Sequence, residues 1–141
     1  MVLADTGFWV ALLNPRDACH QRACAAAERH ETEGFVTTQP VVTEACHLLS
    51  ARRRPAEAVR FVQALAETRT ELFELSASTW PRVAKLMTQY LDLPMDYADA
   101  SLVLLAEHLG HGRILTTDRR DFGSYRWKSR YPFENLLEDP L

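Results

Sequence analysis

Along the chain, short apolar runs alternate with stretches in which apolar residues recur every three or four positions. Val2 to Ala4 is apolar and ends at Asp5, Thr6 and Gly7 interrupt, and Phe8 to Leu13 is apolar again, which predicts strand, turn and helix. Asn14 to Asp17 predicts a turn, Ala18 to Glu31 an Ala-rich helix ending near Gly34, and Phe35 to Thr38 a second strand. Pro40 suits the first turn of a helix running to about Arg53, with Val41, Ala45, Leu48 and Leu49 as its apolar stripe. Pro55 opens another helix, in which Ala58, Phe61, Val62 and Leu65 repeat at helical spacing, and the Arg52 to Arg54 run between the two reads as a solvated helix end.

Glu71 to Leu75 alternates polar and apolar residues, as a strand near a sheet edge does. Ser76 or Ser78 can cap the next helix, whose stripe is Trp80, Val83, Ala84, Met87 and Leu91. Pro94 stops that helix, Asp96 can cap one running through Leu109, and Gly110 stands where a left-handed C-terminal residue is expected. Arg113 to Thr117 predicts a fourth strand, Tyr125 to Lys128 a weak last one, and an irregular tail with Pro132 and Pro140 follows.

Strands alternating with helices predict an α/β fold with a mostly parallel sheet covered on both faces, because parallel neighbours need helical crossovers. With 141 residues the chain is expected to form a single domain, residues 1–141. Its composition, 47% hydrophobic and 25% charged, suits a packed core, and the longest apolar run, the six residues Phe8 to Leu13, is far too short to cross a membrane. Cys19, Cys24 and Cys46 form an odd set, and the first residues lack a positively charged leader segment, so a reducing cytoplasm is the expected compartment. Cys19 and Cys24 fall on different faces of one helix and are read as small hydrophobes rather than zinc ligands.

The net charge of -3 conceals an asymmetry. Between Arg113 and Arg130 six basic residues (Arg113, Arg119, Arg120, Arg126, Lys128, Arg130) face two acids (Asp118, Asp121), so this stretch carries +4 and the remainder -7. Such a stretch is either a solvated surface or a face for an anion, and it gains meaning only beside the acids.

Asp5 follows the first strand and Asp118 the fourth, so in a parallel sheet both stand at one edge. Glu44 lies early in the helix after the second strand, and Asp96 and Asp99 lie in the first turn of the helix before the fourth. Each has a purely structural reading: Asp5 as a helix cap, Asp118 as an Asx-turn, and Asp96 with Asp99 as a capping-box pair. Glu44 borders an apolar stripe, where an unpaired carboxylate is costly. Taken together, four or five carboxylates at one edge would raise one another's pKa values unless a cation compensates. Oxygen donors without convergent Cys or His point to a hard ion, Mg²⁺ or Mn²⁺, and such ions serve phosphate chemistry. The basic stretch beginning beside Asp118 suits a polyanionic substrate, with nucleic acid as the leading candidate.

Leu3-Ala4-Asp5-Thr6-Gly7, the helix-borne Glu44, Asp96-Tyr97-Ala98-Asp99-Ala100 and Thr116-Thr117-Asp118-Arg119-Arg120-Asp121-Phe122 together resemble a PIN domain, specifically the ribonuclease toxins of VapBC-type toxin–antitoxin pairs. The resemblance runs from Leu3 to Phe122 in order and spacing. It implies a three-layer α/β/α domain with a central mostly parallel sheet of four to five strands, acting as a Mg²⁺- or Mn²⁺-dependent endoribonuclease on RNA. By position, Asp5, Glu44 and Asp99 match the family's three main acids and Asp118 its more variable fourth, while Asp96 is an extra acid placed to hold a water or a second ion. Asp5, Asp99 and Asp118 are then the expected metal ligands, with Asp96 beside them, and Glu44 the group that orients or deprotonates the attacking water.

Thr6 and Thr117 match hydroxyl positions that bind a phosphate or an acidic ligand, Arg126, Lys128 and Arg130 are expected to guide the RNA backbone, and Arg119 and Arg120 either do the same or pair with Asp121 or neighbouring acids. The resemblance further implies a VapB-type antitoxin partner covering the acidic pocket, and a homodimer. Trp9 and Phe8 are read as core, and Trp127 as packed under the C-terminal tail. Two competing readings are a non-catalytic module that keeps the fold and binds RNA or protein, and an aspartyl-phosphate phosphotransferase. The second normally needs an acid two residues after the nucleophile, where this chain has Gly7, and a supporting lysine, of which there are only Lys85 and Lys128.

Overall fold

The computed structural model describes residues 1–51 and 55–137. In chain order the elements are β1 (Val2–Ala4), α1 (Thr6–Leu13), α2 (His20–His30), β2 (Phe35–Thr38), α3 (Gln39–Ser50), α4 (Pro55–Glu67), β3 (Thr70–Phe73), a 3-10 turn at Ala77–Thr79, α5 (Trp80–Gln89), α6 (Tyr97–Leu109), β4 (Arg113–Leu115), α7 (Arg119–Ser124), β5 (Arg126–Trp127), β6 (Tyr131–Pro132) and β7 (Glu134–Asn135). The central sheet is parallel throughout, in the order β3-β2-β1-β4-β7, and helices flank it in an α/β/α arrangement.

β1 occupies the middle of the sheet and is wholly buried, which is why Val2, Leu3 and Ala4 form an unbroken apolar run instead of alternating. On α1, Phe8 and Trp9 pack with Phe35 and Phe61, the Trp9 ring lying 5.9 Å from Phe35 and 5.5 Å from Phe61. This is the expected core role for both. α6 packs against β1, β2, α3 and α5, so its middle, Leu102 to Ala106, is buried on every side and shows no polar face. Gly110 ends α6 with φ of 78°, a left-handed conformation that carries no side-chain penalty at glycine.

The C-terminal segment departs from expectation. Arg126–Trp127 does not join the central sheet but pairs antiparallel with Tyr131–Pro132 across a turn in which Lys128 and Ser129 have positive φ. The fifth central strand is instead β7, from the stretch read as an irregular tail. Two-residue strands are too short to display an alternating pattern, and β7 is fixed by backbone bonds from Glu134 to Gly112 and from Leu136 to Ile114. The Asn135 amide completes the join, accepting from the Thr116 N–H at 3.3 Å and donating to the Thr116 carbonyl at 3.0 Å. Pro140 and the Arg52–Arg54 run lie outside the described residues.

α5 also differs. Its core contacts are Val83 and Leu86, whereas Trp80, Met87 and Leu91, expected in the buried stripe, are exposed. On α4, Phe61 is buried but Val62 is half exposed. β3 lies at the sheet edge, as its alternation predicts.

Gly112 is where the hairpin meets the sheet: a Cβ there would stand 2.6 Å from Trp127 Nε1 and 3.2 Å from the Phe133 ring. Trp127 is buried and donates to the Pro132 carbonyl at 3.1 Å, so it cannot swing away freely. Gly112→Ala should therefore lower unfolding free energy by about 1–3 kcal/mol. Gly123→Ala, where the added methyl meets open space within α7, should instead be neutral or stabilising by up to about 1 kcal/mol. Urea titration of the two variants measures both effects.

Candidate active site

In a parallel sheet, ligands gather beyond the carboxyl ends of the strands where the strand order reverses. Here the chain leaves β1 toward β2 on one side and returns to β4 on the other, so the reversal lies between β1 and β4. Asp5 ends β1 and Thr116 ends β4, and the Thr116 hydroxyl donates to Asp5 Oδ2 at 2.7 Å across that crevice. Asp5 Oδ1 accepts from the Thr6 N–H at 2.7 Å, making Asp5 the N-cap of α1.

The helix-cap role foreseen for Asp5 and the capping box foreseen for Asp96 with Asp99 are realised, whereas Asp118, read as an Asx-turn, is instead a helix cap because its carboxylate reaches the N–H three residues on. Asp96 and Asp99 form a complete capping box at the start of α6, with Asp99 N–H donating to Asp96 Oδ1 at 2.8 Å and Asp96 N–H donating to Asp99 Oδ2 at 3.3 Å. Asp118 caps α7, accepting from the Asp121 N–H at 3.0 Å. It stands three residues beyond the end of β4 rather than directly after it, because β4 stops at Leu115 and the chain turns into α7, a helix the sequence pattern does not reveal. Capping engages only part of each carboxylate, since a carboxylate has about four acceptor sites.

The structure brings the acids together electrostatically. Burial pushes the Asp5 carboxyl up to about 6, and Glu44 and Asp118 push in the same direction against the hydrogen bonds from Thr116 and Thr6. Burial, then Asp96 and Asp5, raise Asp99 to about 8. Glu44 is raised by burial and by Asp96. Burial is the largest influence on Asp5, Glu44 and Asp99 alike, ahead of neighbouring acids and hydrogen bonds. As the side chains lie, no three carboxylates, imidazoles or thiols among the described residues close on one ion-sized point. The acids of the cluster raise one another's pKa values and offer oxygen donors only, a chemistry that fits a hard divalent cation.

Thr6 is buried and its hydroxyl has no hydrogen-bond partner among the described residues. Thr117 is exposed above the first turn of α1, where a Cβ on residue 7 would fall 2.0 Å from its hydroxyl, so glycine leaves the room that Thr117 occupies. Arg119 and Arg120 lie exposed in the first turn of α7, beside Asp118.

The rest of the basic stretch is elsewhere. Arg113 pairs with Glu33 at the amino ends of the strands, together with the Met1 amine and His30. Lys128 and Arg130 lie over Trp127 and Tyr131 in the hairpin, where Lys128 N–H donates to Glu107 near the far end of α6 from Asp99. Arg126 donates to the Gly123 and Tyr125 carbonyls. The geometry therefore separates Arg113, Lys128 and Arg130 from the acids and leaves Arg119 and Arg120 beside them.

Two residues of the site have no counterpart in the sequence reading. Thr116 fixes Asp5 and also accepts from the Asp118 N–H at 3.0 Å, so one hydroxyl positions both. Its signal was its place as the hydroxyl residue directly after β4. Tyr125 is buried and donates to Asp99 Oδ2 at 3.3 Å and to the Pro94 carbonyl at 3.2 Å. It comes from beyond α7, and no local pattern ties it to Asp99.

The raised carboxyls make stability depend on pH in a definite sense. A carboxyl whose folded pKa exceeds its unfolded value binds more protons when folded, so stability falls as pH rises from about 4 through the folded values near 6 and 8. Asp5 alone accounts for on the order of 2–3 kcal/mol of this fall. In chelator-treated protein the melting temperature should drop between pH 5 and pH 8.5, and Asp99→Asn should flatten the drop and stabilise the protein at pH 8. A wild-type melting temperature that rises over this range contradicts the electrostatic assignment.

Comparison with known proteins places this geometry. The PIN domain model matches residues 2–128. Ribonuclease VapC26 of Mycobacterium tuberculosis (strain ATCC 25618 / H37Rv) is 30% identical over 118 residues, covering 82% of this chain and 87% of VapC26. The crystal structure of Mycobacterium tuberculosis VapC20, a sarcin-ricin loop cleaving toxin, superposes with a TM-score of 0.76 at 20% identity, covering 86% of this chain and 92% of VapC20, a likeness of fold. With its strand order, its acids at the sheet edge and these matches over most of its length, the chain belongs to the PIN domain family, among the VapC-type proteins.

Proposed function

We propose that this protein is a Mg²⁺- or Mn²⁺-dependent endoribonuclease and the toxin of a VapBC-type pair. The observation that carries the reading is the cluster of mutually repelling acids at the β1/β4 crevice, with Asp5 fixed by Thr116 and Asp99 by Tyr125. Kinship with a VapC ribonuclease supports the reaction class.

Asp5, Asp99 and Asp118 would hold the cation, with Asp96 one turn before Asp99 as a further oxygen donor. When bound, such an ion supplies charge for a phosphate oxygen and acidifies a water. Glu44, whose carboxylate burial makes more basic than an exposed one, takes a proton from the attacking water at its side-chain oxygen. Thr6, whose buried hydroxyl lacks a partner among the described residues, and Thr117, opposite Gly7, bind the phosphate. Arg119 and Arg120 attract the RNA backbone from the first turn of α7. Asp5 and Asp99, whose carboxyl pKa values burial raises, would give up their protons in order to hold the ion. A VapB-type antitoxin covering the acids, a homodimer and a cytoplasmic location complete the reading. No helix among the described residues is long and apolar enough to cross a membrane.

Purified wild-type protein with Mg²⁺ or Mn²⁺ should cut single-stranded RNA, leaving a 5′-phosphate, and chelation should stop it. Asp5→Asn and Asp99→Asn should each lower the rate by at least about a hundredfold while circular dichroism shows the fold intact. Undiminished cutting by Asp99→Asn removes that residue from the site. A wild type that binds RNA without cutting it supports the non-catalytic module instead.

A further inference from the structure

Beside the acids lies an open groove of about 860 Å³ that the reaction as described does not use. It begins at Glu44 and Asp96, which belong to the acid cluster, and runs along the exposed start of α3 to the end of β3. Its walls carry Gln39, Thr43 and His47 from α3, Glu74 after β3, and Tyr97 from the first turn of α6. Tyr97 is 39% exposed, and the side chains of Tyr97, Gln39 and His47 make no hydrogen bond or ring contact among the described residues. An aromatic ring, an amide and an imidazole thus line one open groove without partners among the described residues.

We infer that this groove holds an unpaired nucleobase of the RNA next to the scissile phosphate, stacked on Tyr97 and read at its edge by Gln39 and His47. The inference rests on the ribonuclease reading and extends it. An RNA whose phosphate sits at the acids must lead its neighbouring nucleotide past Glu44 and Asp96, directly into the groove. Glu44, Glu74 and Asp96 line it, so a phosphate is repelled there and a neutral base is not.

The flanking phosphates stay on the side of Arg119 and Arg120. Stacking on a tyrosine ring accepts any base, whereas Gln39 offers both a donor and an acceptor and His47 one ring nitrogen of each kind, a set matched to a base edge. The volume, within the range of pockets that take a small organic ligand, admits a base and its sugar. Such a base must be splayed out of any helix, so the substrate presents a single strand or loop at the cut.

The experiment compares wild type, Tyr97→Ala and Tyr97→Phe on a short single-stranded RNA and on the same RNA with one abasic nucleotide beside the cut. Wild-type cleavage of the intact RNA is measured first, and its absence removes the ribonuclease reading and this inference together. Given cleavage, Tyr97→Ala should raise KM about 5- to 100-fold, the range one stacked base is worth, with kcat changed less than about threefold. Tyr97→Phe should restore it. The abasic RNA should show the same rise with wild type and no further rise with Tyr97→Ala, and Gln39→Ala should change which flanking base is preferred. If Tyr97→Ala leaves KM unchanged, or adds its full loss on the abasic RNA, the groove is not a base subsite while the ribonuclease reading survives. If Tyr97→Ala weakens binding of an arginine-rich peptide but not KM for RNA, the groove is a peptide site and the inference is likewise overturned.

Discussion

Repulsion among Asp5, Glu44, Asp96, Asp99 and Asp118 is the constraint around which the carboxyl edge of the sheet is arranged. Asp5 and Asp118 follow strands β1 and β4, Asp96 and Asp99 share the start of α6, Glu44 sits in the second turn of α3, and the parallel topology, with its reversal between β1 and β4, delivers them to one end of the sheet. Gathering carboxylates opposes folding, and the protein limits the opposition in two ways. Backbone N–H groups at three helix starts accept part of the charge, through the caps at Asp5, at Asp96 with Asp99, and at Asp118. Protonation takes up more, as the raised values of Asp5 and Asp99 show.

Under the proposed function, helix capping and cation holding are two uses of the same carboxylates. A cap fixes one oxygen and aims the other. Asp5 is held from both sides, by the Thr6 N–H and by the Thr116 hydroxyl, and Thr116 is itself held by the Asn135 amide, which belongs to the last strand. Asp99 is braced by Tyr125, at the point where α7 gives way to the hairpin. Residues far along the chain thus steady acids near its start and middle. The C-terminal hairpin follows Tyr125 and leads the chain back to β7, which joins the sheet beside β4.

Much of this was legible in the sequence, and the boundary has physical causes. β1, β2, α3, α6 and β4 carry long or uniform apolar patterns with Pro, Asp or Gly punctuation, and they appear where that pattern puts them. The acids stood out because polar residues at strand ends and helix starts are few and interpretable. β7 and the hairpin were not legible because two-residue strands have no period, and their pairing depends on backbone contacts with Gly112 and Ile114. α7 was hidden by its length of six residues. The stripe read on α5 was misleading because Trp80, Met87 and Leu91 are apolar and helically spaced, yet of that stripe only Val83 is buried, joined by Leu86, and Leu91 lies past the end of the helix. Thr116 and Tyr125 act through contacts that span 111 and 26 residues, and no local pattern encodes such distances.

The central claim is that these carboxylates form a cation site built at the expense of their own ionisation. Calorimetric titration of Mn²⁺ into the protein at pH 7, repeated in buffers of different ionisation enthalpy, tests it most directly. Binding at a single site, with roughly one proton released per ion and loss of both signals in Asp99→Asn, is the expected result. Absence of saturable binding, or binding whose heat is independent of the buffer, contradicts it.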